Sequence, residues 1–262
     1  MFKLTVTPEE IEKLDLARFP GQIHVISHPG WDFSRAIAYL KKQAVIGFDT
    51  ETKPVFSPGQ HHNGVALLQL SGPDQAFLFR IQKLGMRGRI CSILSNPNII
   101  KVGAAALDDV RGLQRYREFE PRGFLDLQKM VWEWGIRDKS VKKMAANILG
   151  VRISKSQQLS NWEAETLNEH QQMYAATDAW ICREMYLKLQ TCEKHPLKPE
   201  EILPPEQQPL AIRDPEAAER KRKEKEERIA AEKSRQAAAR KRRYYRNKKK
   251  NSNDKGVPEK GA

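Results

Sequence analysis

The sequence predicts an α/β domain followed by a basic C-terminal tail. Apolar, strand-like runs divided by turn residues occupy much of the chain up to residue 108, and helical patterns continue from there to His195. A proline-rich stretch then leads into a segment that is mostly charged. The first two features indicate a sheet combined with helices, and the third marks the end of the domain.

The N-terminal residues predict a helix, a strand and a second helix. Thr7, followed by a proline and two glutamates, is typical of a helix N-terminus. Residues 23–26 predict a short strand, and residues 34–42 predict an amphipathic helix. The apolar run at 45–48 then predicts a second strand.

Residues 64–80 predict a β-hairpin, because two apolar runs flank the turn-forming sequence Ser-Gly-Pro-Asp at 71–74. A further strand-like run at 98–107 ends at two aspartates and passes into a helix near Val110. The rest of the domain predicts helices at 124–135, 140–150 and 166–190.

The positive charge is concentrated near the C-terminus. The net charge is +13, and residues 213–260 hold 19 Lys and Arg against 9 Asp and Glu, which gives +10. We therefore divide the chain into a domain at 1–195, a proline-rich linker at 196–212, and a basic tail at 213–262 that is helical or disordered. The tail is suited to contacts with nucleic acid, although a nuclear-import signal has the same composition.

Cysteine usage and hydropathy indicate a reducing compartment and no membrane span. Cys91, Cys182 and Cys192 have neither a zinc-binding spacing nor a disulfide-dense pattern. No run approaches the roughly 18 to 20 apolar residues that a membrane span needs. We expect a cytoplasmic protein, with the nucleus as the alternative.

Two carboxylates follow the strand at 45–48. Because side chains alternate along a strand, Asp49 and Glu51 project from the same face, roughly 6 to 7 Å apart along the chain. Their repulsion must be offset by solvent, by basic side chains or by a divalent cation. The spacing alone does not choose among these.

Two more acids stand where helices are predicted. Asp109, near a helix start, has an ordinary explanation as an acid favoured by the helix dipole. Thr166 and Glu169 form a capping-box pattern that places Tyr174 and Asp178 inside the last helix, four residues apart on one face. Asp178 could be a solvated residue, but its neighbours are apolar on nearly every side, and a buried carboxylate needs a partner.

Three motifs in order carry a family resemblance. They are Asp49-Thr50-Glu51 in "IGFDTET", Asp109 in "KVGAAALDDVRGL", and Tyr174 with Asp178 in "YAATD". Over residues 22–190 the chain resembles the DEDDy 3′→5′ exonucleases of the ribonuclease D and Werner-exonuclease-like group. The resemblance implies a ribonuclease H-like fold, a mixed sheet flanked by helices, for the domain at 1–195.

The resemblance also implies a metal-dependent 3′-5′ exonuclease that releases 5′-mononucleotides by a two-metal-ion mechanism. In this scheme Asp49 bridges two divalent cations, Glu51 and Asp178 complete the site of the attacking water, and Asp109 orients the second cation. Tyr174 positions the water. Oxygen ligands without His or Cys favour Mg²⁺ or Mn²⁺.

Other features leave alternatives open. Trp162 could stack on nucleic acid or pack in the core, and Lys155 could contact phosphate or be an ordinary surface lysine. The substrate is DNA or RNA, since no motif reveals contacts to a 2′-hydroxyl. The alternative function is a catalytically silent nucleic-acid-binding module of the same fold. The oligomeric state is not indicated.

Overall fold

One six-stranded mixed sheet organises the fold. The computed structural model of the chain describes residues 1–54, 64–202, 219–226 and 229–230. Within these residues the strand order is β1-β4-β3-β2-β5-β6. The strands are β1 (Gln22–Ile26), β2 (Val45–Thr52), β3 (Val65–Ser71), β4 (Gln75–Arg80), β5 (Ile100–Gly103) and β6 (Phe124–Asp126).

Strand β2 lies between the antiparallel strand β3 and the parallel strand β5, and at the far edge β1 pairs parallel with β4. Strand β2 pairs antiparallel with β3, which continues into the β3–β4 hairpin, and parallel with β5, which pairs parallel with β6. Across the β2–β3 ladder, Asp49 is paired with Gln69 and Glu51 with Leu67. The ladder shifts register between Glu51 and Thr52.

Helices cover both faces of the sheet. One face packs on α2 (Trp31–Leu40), α4 (Gly88–Leu94) and α5 (Ala106–Gln114). The core on this face includes Phe33, Ile90 and Val110. The other face packs on α7 (Val141–Leu149) and α8 (Glu169–Gln190) through Ile148 and Ile181. The helices are α1 (Pro8–Glu12), α2 (Trp31–Leu40), α3 (Ile81–Leu84), α4 (Gly88–Leu94), α5 (Ala106–Gln114), α6 (Leu127–Met130), α7 (Val141–Leu149), α8 (Glu169–Gln190) and α9 (Pro199–Ile202), with a 3₁₀-helix at Val131–Trp134.

Gly47 allows α8 to lie directly on β2. A Cβ atom built on Gly47 would come within 1.8 Å of the Ala179 carbonyl oxygen. No side chain fits in that space, so the strand and the helix touch through their backbones. Asp49 follows Gly47 by two residues, and Asp178 precedes Ala179, so this contact brings the two carboxylates to the same place.

The last long helix begins at a different cap from the predicted one. Asn168, not Thr166, is the N-cap, and its side chain and that of Gln171 form the reciprocal capping box. Both pairs have suitable side chains with the same spacing, so the sequence pattern alone did not distinguish them. Tyr174 and Asp178 still lie inside the helix, as predicted.

Other boundaries also differ from the prediction. Helix α5 begins at Ala106 rather than near Val110, because Ala105 adopts a left-handed conformation with φ 58° and ends the extended run. The segment 124–135, predicted as one helix, is instead β6 followed by α6 and the 3₁₀-helix. The apolar residues at 124, 127, 131 and 134 have a helical spacing, but pairing with β5 places residues 124–126 in the sheet.

The described residues leave most of the predicted linker and tail untested. Residues 1–202 form one compact unit. Residues 219–226 and 229–230 are helical, and Lys223 pairs with Glu219 at 3.1 Å. The rest of 203–262 lies outside the described residues. Within the described part of the chain, no helix is long and apolar enough to cross a membrane.

We expect Gly47→Ala to lower the free energy of unfolding by about 1–3 kcal/mol or more, because the added methyl group must push α8 away from β2. Thermal unfolding of the purified protein measures this. Gly88→Ala is the control, since a Cβ there meets only the end of the Arg117 side chain, at 3.5 Å. Equal melting temperatures for the two variants would show that the β2–α8 contact is not tight.

Candidate active site

Three carboxylates meet at the end of β2. Asp49 and Glu51 project from the face of β2 that packs on α8, and Asp178 projects from α8 itself. One carboxylate oxygen from each of the three lies within 4.8 Å of the others. Each of these residues is half-buried. Residues from two motifs far apart in the sequence therefore form one acidic cluster.

Tyr174 borders this acidic cluster one helical turn before Asp178. Its hydroxyl lies beside the Asp178 carboxylate and opposes the rise in the pKa of Asp178. Its ring packs against the indole of Trp162, with the ring centroids 5.9 Å apart. Trp162 is completely buried in a cluster with Leu67. The structure thus shows the core alternative for Trp162, in which its ring supports Tyr174.

Asp109 stands beside the three carboxylates rather than among them. It lies in the first turn of α5, where its carboxylate accepts a 2.6 Å hydrogen bond from the Thr50 hydroxyl. Thr50 lies between Asp49 and Glu51, so it ties α5 to the end of β2. Asp109 is therefore close to the cluster but held by a neutral partner.

Two supporting residues were missed in the sequence. Asp126, at the end of β6, accepts a 3.0 Å hydrogen bond from the backbone N–H of Ala105 and another from Gln128. It thereby fixes the left-handed turn that leads into α5. Thr50 is the second supporting residue, and in the sequence it is only the residue that separates Asp49 from Glu51. An aspartate just before a helical pattern is a cap signal that could have identified Asp126.

An open cleft gives access to the carboxylates. Its volume is about 280 Å³. Lys155 lines this cleft and is exposed. Its positive charge opposes the rise in the pKa of Asp178 that burial causes. The complete lining is Asp49, Thr50, Glu51, Ser140, Val141, Ile153, Lys155, Gln158, Tyr174 and Asp178.

The cluster resists ionisation. Burial, followed by the charges of Asp178, Asp109 and Glu51, raises the pKa of Asp49 well above its usual range. Burial, followed by the charges of Asp178 and Asp109, raises the pKa of Glu51 to about 9. Burial raises the pKa of Asp178 to about 7, although the Tyr174 hydroxyl and Lys155 oppose the shift. Burial also raises the pKa of Asp109 to about 6, against the hydrogen bond from Thr50.

These groups fit a divalent cation. A cation in the cluster would stabilise the ionised carboxylates that now repel one another. All three ligand groups are hard oxygen donors, the type that suits Mg²⁺ and Mn²⁺. The hydroxyl of Tyr174 borders the same space, and burial followed by the charge of Asp178 raises its pKa, so it stays protonated and can donate a hydrogen bond.

The mixed sheet with helices on both faces and the carboxylates at the end of its central strand define a ribonuclease H-like domain. Residues 30–192 match the model of the 3′-5′ exonuclease family. The chain belongs to this family, which confirms the resemblance to the DEDDy exonucleases.

Curated relatives agree with the family match. The bifunctional 3′-5′ exonuclease/ATP-dependent helicase WRN of Mus musculus is 30% identical over 193 residues, covering 68% of this chain and 13% of that protein. The exonuclease mut-7 homolog of Aedes aegypti is 27% identical, covering 65% and 27%. Ribonuclease D of Gluconacetobacter diazotrophicus is 25% identical, covering 65% and 42%. The chain thus spans less than half the length of each of these relatives.

Solved structures share the fold. The Nibbler EXO domain of Aedes aegypti has a TM-score of 0.56 at 22% identity, covering 64% of this chain and 87% of that chain. RNase D of Escherichia coli has a TM-score of 0.57 at 23% identity, covering 64% and 44%. These likenesses place the sheet and its helices in the ribonuclease H-like fold.

We expect the chelated protein to lose stability as the pH rises from 5 to 8. Folding raises the pKa values of Asp109 and Asp178 to about 6 and 7, from 3.8 for an unperturbed Asp. Their contribution to stability is therefore full below about pH 4 and is lost as the pH rises through the folded-state values. Thermal unfolding in EDTA at several pH values measures this.

Asp178→Asn should flatten this pH dependence, because the amide cannot ionise. Asp108→Asn is the matched control, since Asp108 is 79% exposed and pairs with Arg111 outside the cluster. If the parent and Asp178→Asn lost stability equally over this range, the carboxylate cluster would not be its source.

Proposed function

We propose that the chain is an active, metal-dependent 3′-5′ exonuclease that hydrolyses nucleic acid from the 3′ end and releases 5′-mononucleotides. The observation that carries the proposal is the convergence of Asp49, Glu51 and Asp178 within 4.8 Å in an open cleft. The names of the relatives support it, since WRN of Mus musculus and the mut-7 homolog are both called exonucleases.

The carboxylates would hold two divalent cations, either Mg²⁺ or Mn²⁺. The charges of Asp178, Asp109 and Glu51 all act on Asp49, which suits a ligand shared between two cations. Asp109 would act on the second cation while Thr50 fixes its carboxylate. When bound, such cations lower the pKa of an attacking water and stabilise the leaving 3′ oxygen.

The remaining residues would position the substrate and the water. The Tyr174 hydroxyl faces the cluster on a ring held by Trp162, so it can orient the water for in-line attack. The exposed Lys155 lines the cleft and can meet a substrate phosphate. No residue of the chain needs to form a covalent intermediate.

The alternative is a nucleic-acid-binding module of the same fold without catalysis. Such a module has no use for several acids in mutual repulsion beside Tyr174. The raised pKa of Glu51, about 9, shows that keeping these acids together is unfavourable in the absence of a cation. This arrangement favours the enzyme.

The deciding experiment incubates the purified protein and Mn²⁺ with 5′-labelled DNA and RNA of matched sequence. We expect a ladder of 3′-shortened products on at least one of the two, and its loss in EDTA, because the chemistry depends on the cation. The two arms identify the substrate. Internal cleavage, or activity that survives chelation, would contradict the proposal.

Asp109→Asn and Asp108→Asn form a matched pair for the same assay. Asp109→Asn should lower turnover by about 10²-fold or more, because it removes a charged group at the cluster. Asp108→Asn should leave turnover within about twofold of the parent, since Asp108 is exposed and pairs with Arg111. Equal effects would show that the second motif was assigned to the wrong aspartate.

Tyr174→Phe should lower turnover by about 10²- to 10⁴-fold, because a single positioning contact is lost while the ring stays packed on Trp162. This effect should be smaller than that of Asp49→Asn. Single-turnover rates at saturating Mn²⁺ measure it. A variant with weakened Mn²⁺ binding and a normal rate at saturation would show a different role for the hydroxyl.

A further inference from the structure

Gln69 is a completely buried amide on β3 with no hydrogen-bond partner among the described residues. Its relative exposure is 0%, and neither its side-chain oxygen nor its side-chain nitrogen is hydrogen-bonded within that part of the chain. Burying an amide without a partner costs roughly 1–3 kcal/mol in proteins. We therefore expect the Gln69 amide to have a hydrogen-bond partner within reach of its side chain.

The register of the sheet places Gln69 directly beside the acidic cluster. Gln69 is the cross-strand partner of Asp49 in the antiparallel β2–β3 ladder. Directly opposed residues project from the same face, with Cβ atoms about 4.5–5.5 Å apart. The Gln69 side chain therefore shares the α8 face with Asp49, within reach of its carboxylate.

A second buried group without a partner lies on the same face. The indole Nε1 of Trp162 is buried and has no acceptor among the described residues. Trp162 packs in a cluster with Leu67 and Leu78. On β3, Leu67 precedes Gln69 by two residues. On β4, Leu78 is the cross-strand partner of Gln69. The indole therefore packs against residues that are adjacent to Gln69 in the sheet.

The donors and acceptors of these groups match. An indole N–H only donates, an ionised carboxylate only accepts, and a carboxamide does both. Gln69 can accept from Trp162 through its oxygen and donate to Asp49 through its nitrogen. The unpaired atoms of Gln69 and Trp162 therefore have the right chemistry to pair with each other and with Asp49.

We propose that Gln69 is a positioning residue of the acidic cluster, which links the buried Trp162 indole to the Asp49 carboxylate and holds that carboxylate in its ligand orientation. The inference rests on the proposed function, because it treats Asp49 as a cation ligand. It gives Trp162 a role beyond packing under Tyr174: the indole fixes the amide orientation that directs the Gln69 N–H at Asp49.

The test is the affinity of the full chain for Mn²⁺, measured without substrate by electron paramagnetic resonance of the free ion. Gln69→Met keeps the volume but removes the amide, and should weaken Mn²⁺ binding about 10- to 100-fold, the usual cost of losing an outer partner of a metal ligand. Trp162→Phe should act in the same direction, and the double variant should bind no more weakly than Gln69→Met, because both act through one link.

Ser71→Ala is the matched control. Ser71 is equally buried on the same face of β3, but its hydroxyl donates to the Gly72 carbonyl rather than toward the acids. It should leave the Mn²⁺ affinity unchanged, and circular dichroism should show each variant folded. Should Gln69→Met fail to fold, Trp162→Phe decides alone.

The outcomes separate the two proposals. A parent protein that binds no Mn²⁺ overturns the proposed function and this inference with it. A parent that binds Mn²⁺, with Gln69→Met or Trp162→Phe binding it equally well, overturns only the link through Gln69. Additive losses in the double variant would also overturn it, since they would show two independent effects.

Discussion

The backbone contact between β2 and α8 is the constraint on which the rest of the structure depends. It exists because Gly47 presents no side chain to Ala179. The same contact closes the core on one face of the sheet and sets Asp178 beside Asp49. The same contact therefore packs the core and assembles the site. A change that moves α8 away from β2 would loosen the core and also separate the carboxylates.

The electrostatics of the site oppose this packing. Burial raises the pKa of each of the four acids, and the charges of neighbouring cluster acids add to the rise for Asp49 and Glu51. A fold that holds acids in this way spends part of its stability on the arrangement, as functional sites commonly do. A bound cation would remove that cost, so cation binding and stability should be coupled in this protein.

The groups around the cluster are held by neighbours rather than by their own conformational preferences. Thr50 fixes Asp109, and Asp126 fixes the turn before α5. Trp162 supports the ring of Tyr174. Each support comes from another element of the fold, so tertiary contacts set the positions of these groups, while Lys155 is exposed at the cleft.

The sequence by itself determined the first five strands, the hairpin, the long helix and the candidate site acids, because side-chain period, turn residues and motif spacing are local properties. It did not determine whether 124–135 is a helix or a strand, or which of two capping patterns starts α8, because both local choices were acceptable and neighbouring elements decided between them. The tertiary structure alone decided that Trp162 is buried and that Gln69 lies opposite Asp49. Burial and cross-strand register depend on residues distant in the chain, and no local pattern contains them.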